Sequence, residues 1–180
     1  MRKAVFSINM TIDGYCGHET AVVDDEVHQY FTDLLHQSDV DIFGRHTYEL
    51  MYPFWHDVAV TQSENAVTNE FALAFDAIPK IVFSTTLERA EWNNTTLLRS
   101  GLKEKIIELK QQPGKNISIG SINVAAQAEQ WGLIDEYRFV VHPIIAGKGP
   151  RLFQPGGGRT LTLVDSKVFG SGVVALHYKK

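Results

Sequence analysis

The sequence predicts an α/β protein: a mainly parallel sheet with helices on both faces and antiparallel strands added at its C-terminal end. Two observations carry this. Up to residue 132, short apolar runs alternate with stretches of helical periodicity, the order produced by successive strand-helix-strand units. From Asp135 onward three extended segments, 136–145, 160–168 and 173–179, follow one another without a long helix, which suits antiparallel pairing. No repeat, low-complexity tract or linker interrupts the 180 residues, so residues 1–180 are expected to form a single domain.

Residues 3–9 form the first strand, and Asp13-Gly14 supplies the turn that follows. Asp24 and Asp25 open a helix, because carboxylates cap free N–H groups and suit the positive end of the dipole. Val27, Tyr30, Phe31, Leu34 and Leu35 recur at helical spacing and form its buried stripe. Val40, Asp41, Ile42 and Phe43 make a short strand that Gly44 ends. A helical turn over residues 45–50 then leads into an aromatic loop, Tyr52-Pro53-Phe54-Trp55.

Residues 63–76 read as another helix, with Ala66, Val67, Phe71, Ala74 and Phe75 on one side and Pro79 as its stop. Residues 80–84 form a buried strand, and Leu97-Leu98 adds a short one. Ser100 is expected to cap a helix running to Gln111, with Leu102, Ile106 and Leu109 inward. Residues 116–119 are the next strand. Gly120-Ser121 begins a helix that ends at Trp131-Gly132, where Gly132 supplies a left-handed residue. Gly156-Gly157-Gly158 reads as a flexible loop.

Composition excludes several classes. A hydrophobic fraction of 44% and a charged fraction of 21% are those of an ordinary globular protein. A net charge of −4, with no run of Lys or Arg, argues against a nucleic-acid surface. Cys16 is the single cysteine, which rules out an internal disulfide and predicts a reducing, cytoplasmic compartment. The first apolar run is broken by Asn9, Thr11 and Asp13, too early for a secretory leader. No stretch approaches the ~20 apolar residues of a membrane span. The seven histidines are scattered without an HExxH or CxxC pattern, so no metal site is expected, and His28 and His36 read as ordinary helix residues.

Two strand-to-helix junctions are built to receive phosphate, since a helix N-terminus presents unpaired N–H groups at the carboxyl end of a strand. In Gly44-Arg45-His46-Thr47 the glycine permits close approach, Arg45 supplies a cation and Thr47 a hydroxyl. Gly120-Ser121-Ile122-Asn123 is the second such turn, and Ser84-Thr85-Thr86 places hydroxyls at a third strand end. Each is also an ordinary cap or turn by itself; co-occurrence at the strand ends of one sheet gives them weight. Neither standard phosphate loop is present: Gly147-Lys148-Gly149 lacks the third glycine and the following helix of a dinucleotide fingerprint, and no GxxxxGK[ST] occurs.

These pieces, in order and spacing, resemble the dihydrofolate reductase superfamily. The closer similarity is to the reductase domain of riboflavin biosynthesis, the C-terminal half of the bifunctional deaminase-reductase, and its stand-alone relatives. The resemblance is carried by Ser7-Ile8-Asn9-Met10-Thr11-Ile12-Asp13-Gly14-Tyr15, Gly44-Arg45-His46-Thr47-Tyr48-Glu49 and Ile119-Gly120-Ser121. Further along it rests on Gly132-Leu133-Ile134-Asp135-Glu136, Pro143 and Gly147-Lys148-Gly149-Pro150-Arg151-Leu152-Phe153. It implies a dihydrofolate reductase-like three-layer fold with a sheet of about eight strands, and a homodimer, to which Val173, Val174 and Leu176 would contribute. It also implies NADPH as cofactor. Gly44, Arg45 and Thr47 would hold the adenosine-side phosphates, Ser84 and Thr85 would line the adenine-ribose end, and Gly120, Ser121, Ile122, Asn123 and Val124 would meet the pyrophosphate. The family commonly has two adjacent glycines where this chain has Gly120-Ser121.

Hydride transfer is the work of a nicotinamide, so the protein has chiefly to orient two reactants and exclude water. Asp13 is the candidate proton donor and substrate contact, with loop ordering as the competing role because Asp-Gly forms turns by itself. Phe54 and Trp55 are candidates to stack on a planar substrate, or else to pack their segment onto the core. The function this predicts is an NADPH-dependent reductase of a small heteroaromatic or ribosylaminopyrimidine-type substrate. A non-catalytic nucleotide- or flavin-binding module, and a true dihydrofolate reductase, are the alternatives.

Overall fold

The computed structural model describes residues 1–17, 21–152 and 158–180. Along the chain run β1 (Ala4–Thr11), α1 (Asp25–His36), β2 (Ser38–Gly44), α2 (Arg45–Thr61), α3 (Ala66–Ala77), β3 (Lys80–Phe83) and β4 (Thr95–Leu98). They are followed by α4 (Leu102–Gln111), β5 (Asn116–Ile119), α5 (Ile122–Gln130), β6 (Glu136–His142), β7 (Thr162–Val168) and β8 (Val174–Lys179). One sheet contains all eight strands in the order β4-β3-β2-β5-β1-β6-β8-β7. Pairings from β4 through β6 are parallel, whereas β8 is antiparallel to β6 and β7 to β8. The α/β class with antiparallel C-terminal strands is therefore the architecture the sequence predicted.

Strand alternation divides the core between the two faces of the sheet. Ala4, Phe6, Val40, Ile42, Ile117 and Ile119 point to one face, where they pack against Leu102, Ile106 and Leu109 of α4 and Val124, Ala125 and Ala128 of α5. Phe43 and Val82 point the other way and meet Tyr48, Trp55 and Val58 of α2 and Ala72 and Phe75 of α3. On that same side Val27 of α1 packs with Val140, Phe169, Val173 and Ala175. A parallel sheet covered on both faces ordinarily has apolar residues throughout. Here the helix-covered second face of the central strands instead carries Ser7, Asn9, Asp41 and Ser118, and this departure locates the cavity described below.

Several predicted boundaries change. The aromatic segment 52–55 is not a loop; it lies inside α2, which continues to Thr61 with Pro53 within it. A proline inside a helix removes one N–H bond and costs about 3 kcal/mol, but burial of Trp55, Val58 and Ala59 against the second core cluster outweighs it. Ser100 does not cap α4: the N-cap is Gly101, at φ +82 and without a side-chain cap bond. α3 starts after Asn65, whose side chain accepts from Thr68 N at 2.9 Å, later than the predicted residue 63. β6 ends at His142 and β7 begins at Thr162, so both are shorter than predicted.

Other predicted ends hold. The Asp24 side chain accepts from Val27 N at 2.9 Å and starts α1. Gly132 takes φ +69, which lets its own N–H bond Glu129 O and the Leu133 N–H bond Ala128 O, closing α5 with a double carbonyl-capping turn. Phe153, Gly156 and Gly157 lie outside the described residues, and with them most of the predicted glycine loop. Among the described residues no helix is long and apolar enough to cross a membrane.

Candidate functional site

The two predicted phosphate corners sit side by side. β2 and β5 are neighbours, so the turns that leave them, at Gly44 and at Gly120-Ser121, share one edge of the sheet. A Cβ placed on Gly44 would lie 3.2 Å from Ser121 Oγ; glycine is what allows the two turns to approach so closely. Gly44 caps α2 and Ser121 caps α5, in neither case with a side-chain cap bond, and neither first turn carries an acidic residue. By contrast α1 and α3 begin with caps from Asp24 and Asn65. Two helix N-termini without side-chain caps, aimed at one edge, form a surface suited to anionic oxygen.

Arg45 is the first residue of α2, half-exposed, and its Nη1 lies 3.2 Å from Glu49 Oε1 and 3.3 Å from Oε2. Ile122, Asn123 and Val124 form the first turn of α5; Asn123 is exposed and Val124 is buried. β3 pairs with β2 on its far side, Phe83 opposite Gly44, so Ser84 and Thr85 follow at the adjoining strand end. The Ser84 hydroxyl accepts from Thr86 N at 3.2 Å and Leu87 N at 2.9 Å and organises its own turn, while Thr85 is exposed.

Beside this edge a cavity of about 510 Å³ opens between the sheet and helices α1, α2 and α3. Thr47 and Gly120 from the phosphate corners line it together with Phe54 and Trp55. Trp55 is buried and packs edge-on against Phe71 at 4.6 Å and Phe54 at 4.9 Å, whereas Phe54 is half-exposed. The aromatic pair serves both readings: Trp55 is core and wall together, and Phe54 is rim. Cys16 also lines the cavity, and burial pushes its thiol up to about 11, so it stays protonated near neutral pH.

Asp13 stands apart from this cavity. Its Oδ1 accepts from Thr11 Oγ1 at 2.6 Å and Ala146 N at 3.1 Å, and its Oδ2 accepts from Gly147 N at 2.7 Å. The Thr11 hydroxyl first, then the Gly147 N–H, hold the carboxyl at about 2. A carboxylate so satisfied has no proton to give at neutral pH, which corrects the predicted donor role. Asp13 instead ties the turn after β1 to the loop after β6. Its proton affinity is lower in the folded chain, so its stabilising effect is full above the unfolded value near 4 and disappears as pH falls toward 2. Asp13→Ala is expected to flatten the acid limb of the melting temperature in that interval; an unchanged limb would dismiss the clasp.

Sequence reasoning missed two ionisable groups that face the cavity. His28, read as an ordinary helix residue, lines it from α1. Its ring lies near-parallel to Phe71 at 5.6 Å and edge-on to Trp55 at 5.7 Å, with Nδ1 3.1 Å from Thr68 Oγ1. Burial lowers its proton affinity against the opposing charges of Asp25, Asp24 and Glu64. Asp41, read as part of an apolar strand, lies on the cavity floor and is 3% exposed. Burial pushes its carboxyl up to about 7, against a hydrogen bond from Ser118 and the charge of Lys80. Asn9 completes the floor, and its Oδ1 is 2.9 Å from His142 Nε2. Val22 N donates to His142 Nδ1 at 3.0 Å, so the imidazole proton resides on Nε2 and is given to Asn9. Asn9 thus retains its NH2 group to offer a ligand.

Comparison with known proteins gives the family and agrees with the fold. The sequence model of the RibD C-terminal domain matches residues 2–175. Bacillus subtilis (strain 168) YyaP is 28% identical over 182 residues, spanning 98% of this chain and 94% of YyaP. YwjB of the same strain is 27% identical over 185 residues, spanning 98% and 97%. Among solved structures, a Shewanella sp. PV-4 protein named for riboflavin biosynthesis superposes with a TM-score of 0.72 at 18% identity, covering 98% of both chains. A pyrimidine reductase-like protein of Corynebacterium diphtheriae gives 0.66 at 15% identity, covering 99% of this chain and 91% of its own. At these identities the structures speak for the fold.

Proposed function

Because this chain belongs to the RibD C-terminal domain family, we propose that it is an NADPH-dependent, cytoplasmic reductase of a small planar heterocycle, similar to reductases of 5-amino-6-(5-phosphoribosylamino)uracil. One observation carries the reading: Thr47 and Gly120 of the phosphate corners line the same cavity as Phe54 and Trp55. A cofactor laid over the corners and a ring held by the aromatic side chains would share that space. At about 510 Å³ it is of ordinary size for a ligand site.

The residues present fit NADPH. The α2 and α5 N-termini offer N–H groups to the phosphates, and Gly44 lets these two termini lie close together. Arg45 has the planar fork that takes two oxygens of a 2′-phosphate, and Ser84 and Thr85 lie at the neighbouring strand end for the adenosine side. Bound NADPH would supply the hydride. The chain's share is to hold the heterocycle against Trp55 and Phe71, exclude water with the α1–α3 wall, and position Asp41 and His28 beside the reactant.

The same reading includes a homodimer. β7 is exposed along its whole length, and Phe139, Val141, Leu161, Leu176 and Tyr178, flanked by Arg151 and Arg159, line a mainly apolar groove of about 590 Å³ that a second copy would cover. Val173 takes no part, because it is fully buried against Val27 and Val140. Sedimentation at micromolar concentration should give twice the chain mass.

The functional test is cofactor binding followed by turnover. NADPH is expected to quench tryptophan fluorescence, bind more tightly than NADH, and be oxidised in the presence of ribosylaminopyrimidines. Failure to bind either cofactor at millimolar concentration would remove the proposal. Binding without oxidation across pyrimidines and pterins would indicate a nucleotide-binding module, and turnover of dihydrofolate would indicate a dihydrofolate reductase.

A further inference from the structure

Ser118 and the charge of Lys80 account for only part of the Asp41 carboxyl. It sits mid-strand in β2, in register between Lys80 of β3 and Ser118 of β5, on the face that looks into the cavity. Its Oδ1 is buried and has no hydrogen-bond partner among the described residues. Lys80 does not supply one: its Nζ donates to Asp76 O and Ile78 O, both at 2.9 Å, and lies 4.4 Å from the Trp92 ring centre. A buried polar atom left unpaired is destabilising, and in native proteins such atoms concentrate where a ligand or water completes them.

The Asp41 side chain borders the cavity floor next to Gly120. A Cβ on Gly120 would lie 3.7 Å from Asp41 Oδ1 and 3.1 Å from Phe43 Cε1, so the missing side chain at 120 keeps the floor open beside the carboxyl. Ser118, Asn9 and Ser7 make the rest of the floor polar, while Phe31, Phe71, Phe75 and Met51 make the walls apolar. A flat ring with polar edges fits such a slot: its faces meet apolar side chains and one edge meets the sheet.

We infer that Asp41 is a specificity-determining residue for the ligand of this cavity, its carboxyl accepting a hydrogen bond from a ring N–H on the lactam or amidine edge of a planar heterocycle. This deepens the reductase reading, because it rests on the cavity being the substrate site. It assigns recognition of the ring to the sheet floor.

The probes are 5,6-diaminouracil and its 3-methyl derivative, which lacks the ring N–H between the carbonyls, titrated calorimetrically with and without NADPH. Wild type is expected to prefer the parent by roughly tenfold, the ratio that one hydrogen bond to a charged or buried partner supports. Asp41→Ala is expected to lose about that factor for the parent and to bind both probes equally, with NADPH affinity changed by less than about twofold. A methyl penalty that persists undiminished in the variant would overturn the assignment, as would equal binding of the probes to wild type or no binding of either. Asp41→Asn supplies a readout at nearly constant volume. With no ligand present it should melt at or above the wild-type temperature, since the cost of desolvating a buried carboxylate outweighs its partial compensation by Ser118 and Lys80. A clear fall would mean that the carboxylate is structurally paired, and the inference would fail. If wild type ignores NADPH while the probe results hold, the reductase reading fails and the role of Asp41 stands.

Discussion

Arg45→Ala is expected to weaken NADPH binding by roughly 10- to 100-fold and to leave NADH nearly unchanged, the range set by about 1.5–3 kcal/mol for hydrogen bonds to a charged group. The side chain is available for this role. Its present partner is Glu49, one turn along the same helix and half-exposed. Exposed pairs at this spacing stabilise by only about 0.3–0.5 kcal/mol, far less than a bidentate contact with a phosphate offers. The guanidinium therefore exchanges partners at little cost. Glu49→Gln should tighten NADPH slightly by removing the competing carboxylate. Parallel titrations of both cofactors decide the matter. Equal losses for NADPH and NADH would show that Arg45 attracts phosphate in general and does not read the 2′-position, and NADPH preference would need another source.

Trp55→Ala is expected to destabilise the fold by about 3–5 kcal/mol, the usual consequence of removing a buried aromatic side chain. For a chain of this length that lowers the melting temperature by on the order of 10 °C. Trp55 is 9% exposed and touches Phe54, Phe71 and His28, so its loss opens the second core cluster and the cavity wall together. Phe54, 51% exposed, separates the two roles. Phe54→Ala should stay within about 0.5 kcal/mol of wild-type stability while weakening the heterocycle. Denaturant titration of both variants checks this. A loss below about 1 kcal/mol for Trp55→Ala would mean that the wall collapses readily around the gap.

Much of the fold was legible because it depends on local signals. The β1 and β2 runs, the Asp24 cap and the Gly132 ending all act over a few residues; the cap and the ending appear where the pattern placed them, and the strands run to within two residues of their predicted ends. The misread positions are those where packing overrules a local preference. Pro53 suggests an interruption, yet Trp55, Val58 and Ala59 bury enough surface to carry α2 through it. Ser100 suggests a cap, yet the backbone enters α4 through a left-handed Gly101. Asp41 did leave a signal: a carboxylate within a strand otherwise suited to burial, as Ser118 leaves a hydroxyl within Ile117-Ser118-Ile119.

By itself the sequence determined the α/β order, the antiparallel end and the glycine turns at Gly44 and Gly120 that open α2 and α5. Periodicity, caps and glycines are written in consecutive residues. Only the tertiary structure decided that these turns meet at one sheet edge, that Asp13 is a clasp, and that His28 and Asp41 look into the same cavity as Trp55. Those facts depend on strand order. Parallel pairing places β5 between β1 and β2 despite the long stretch of chain separating it from both. A carboxylate's protonation, likewise, depends on which N–H groups and apolar side chains arrive from distant segments.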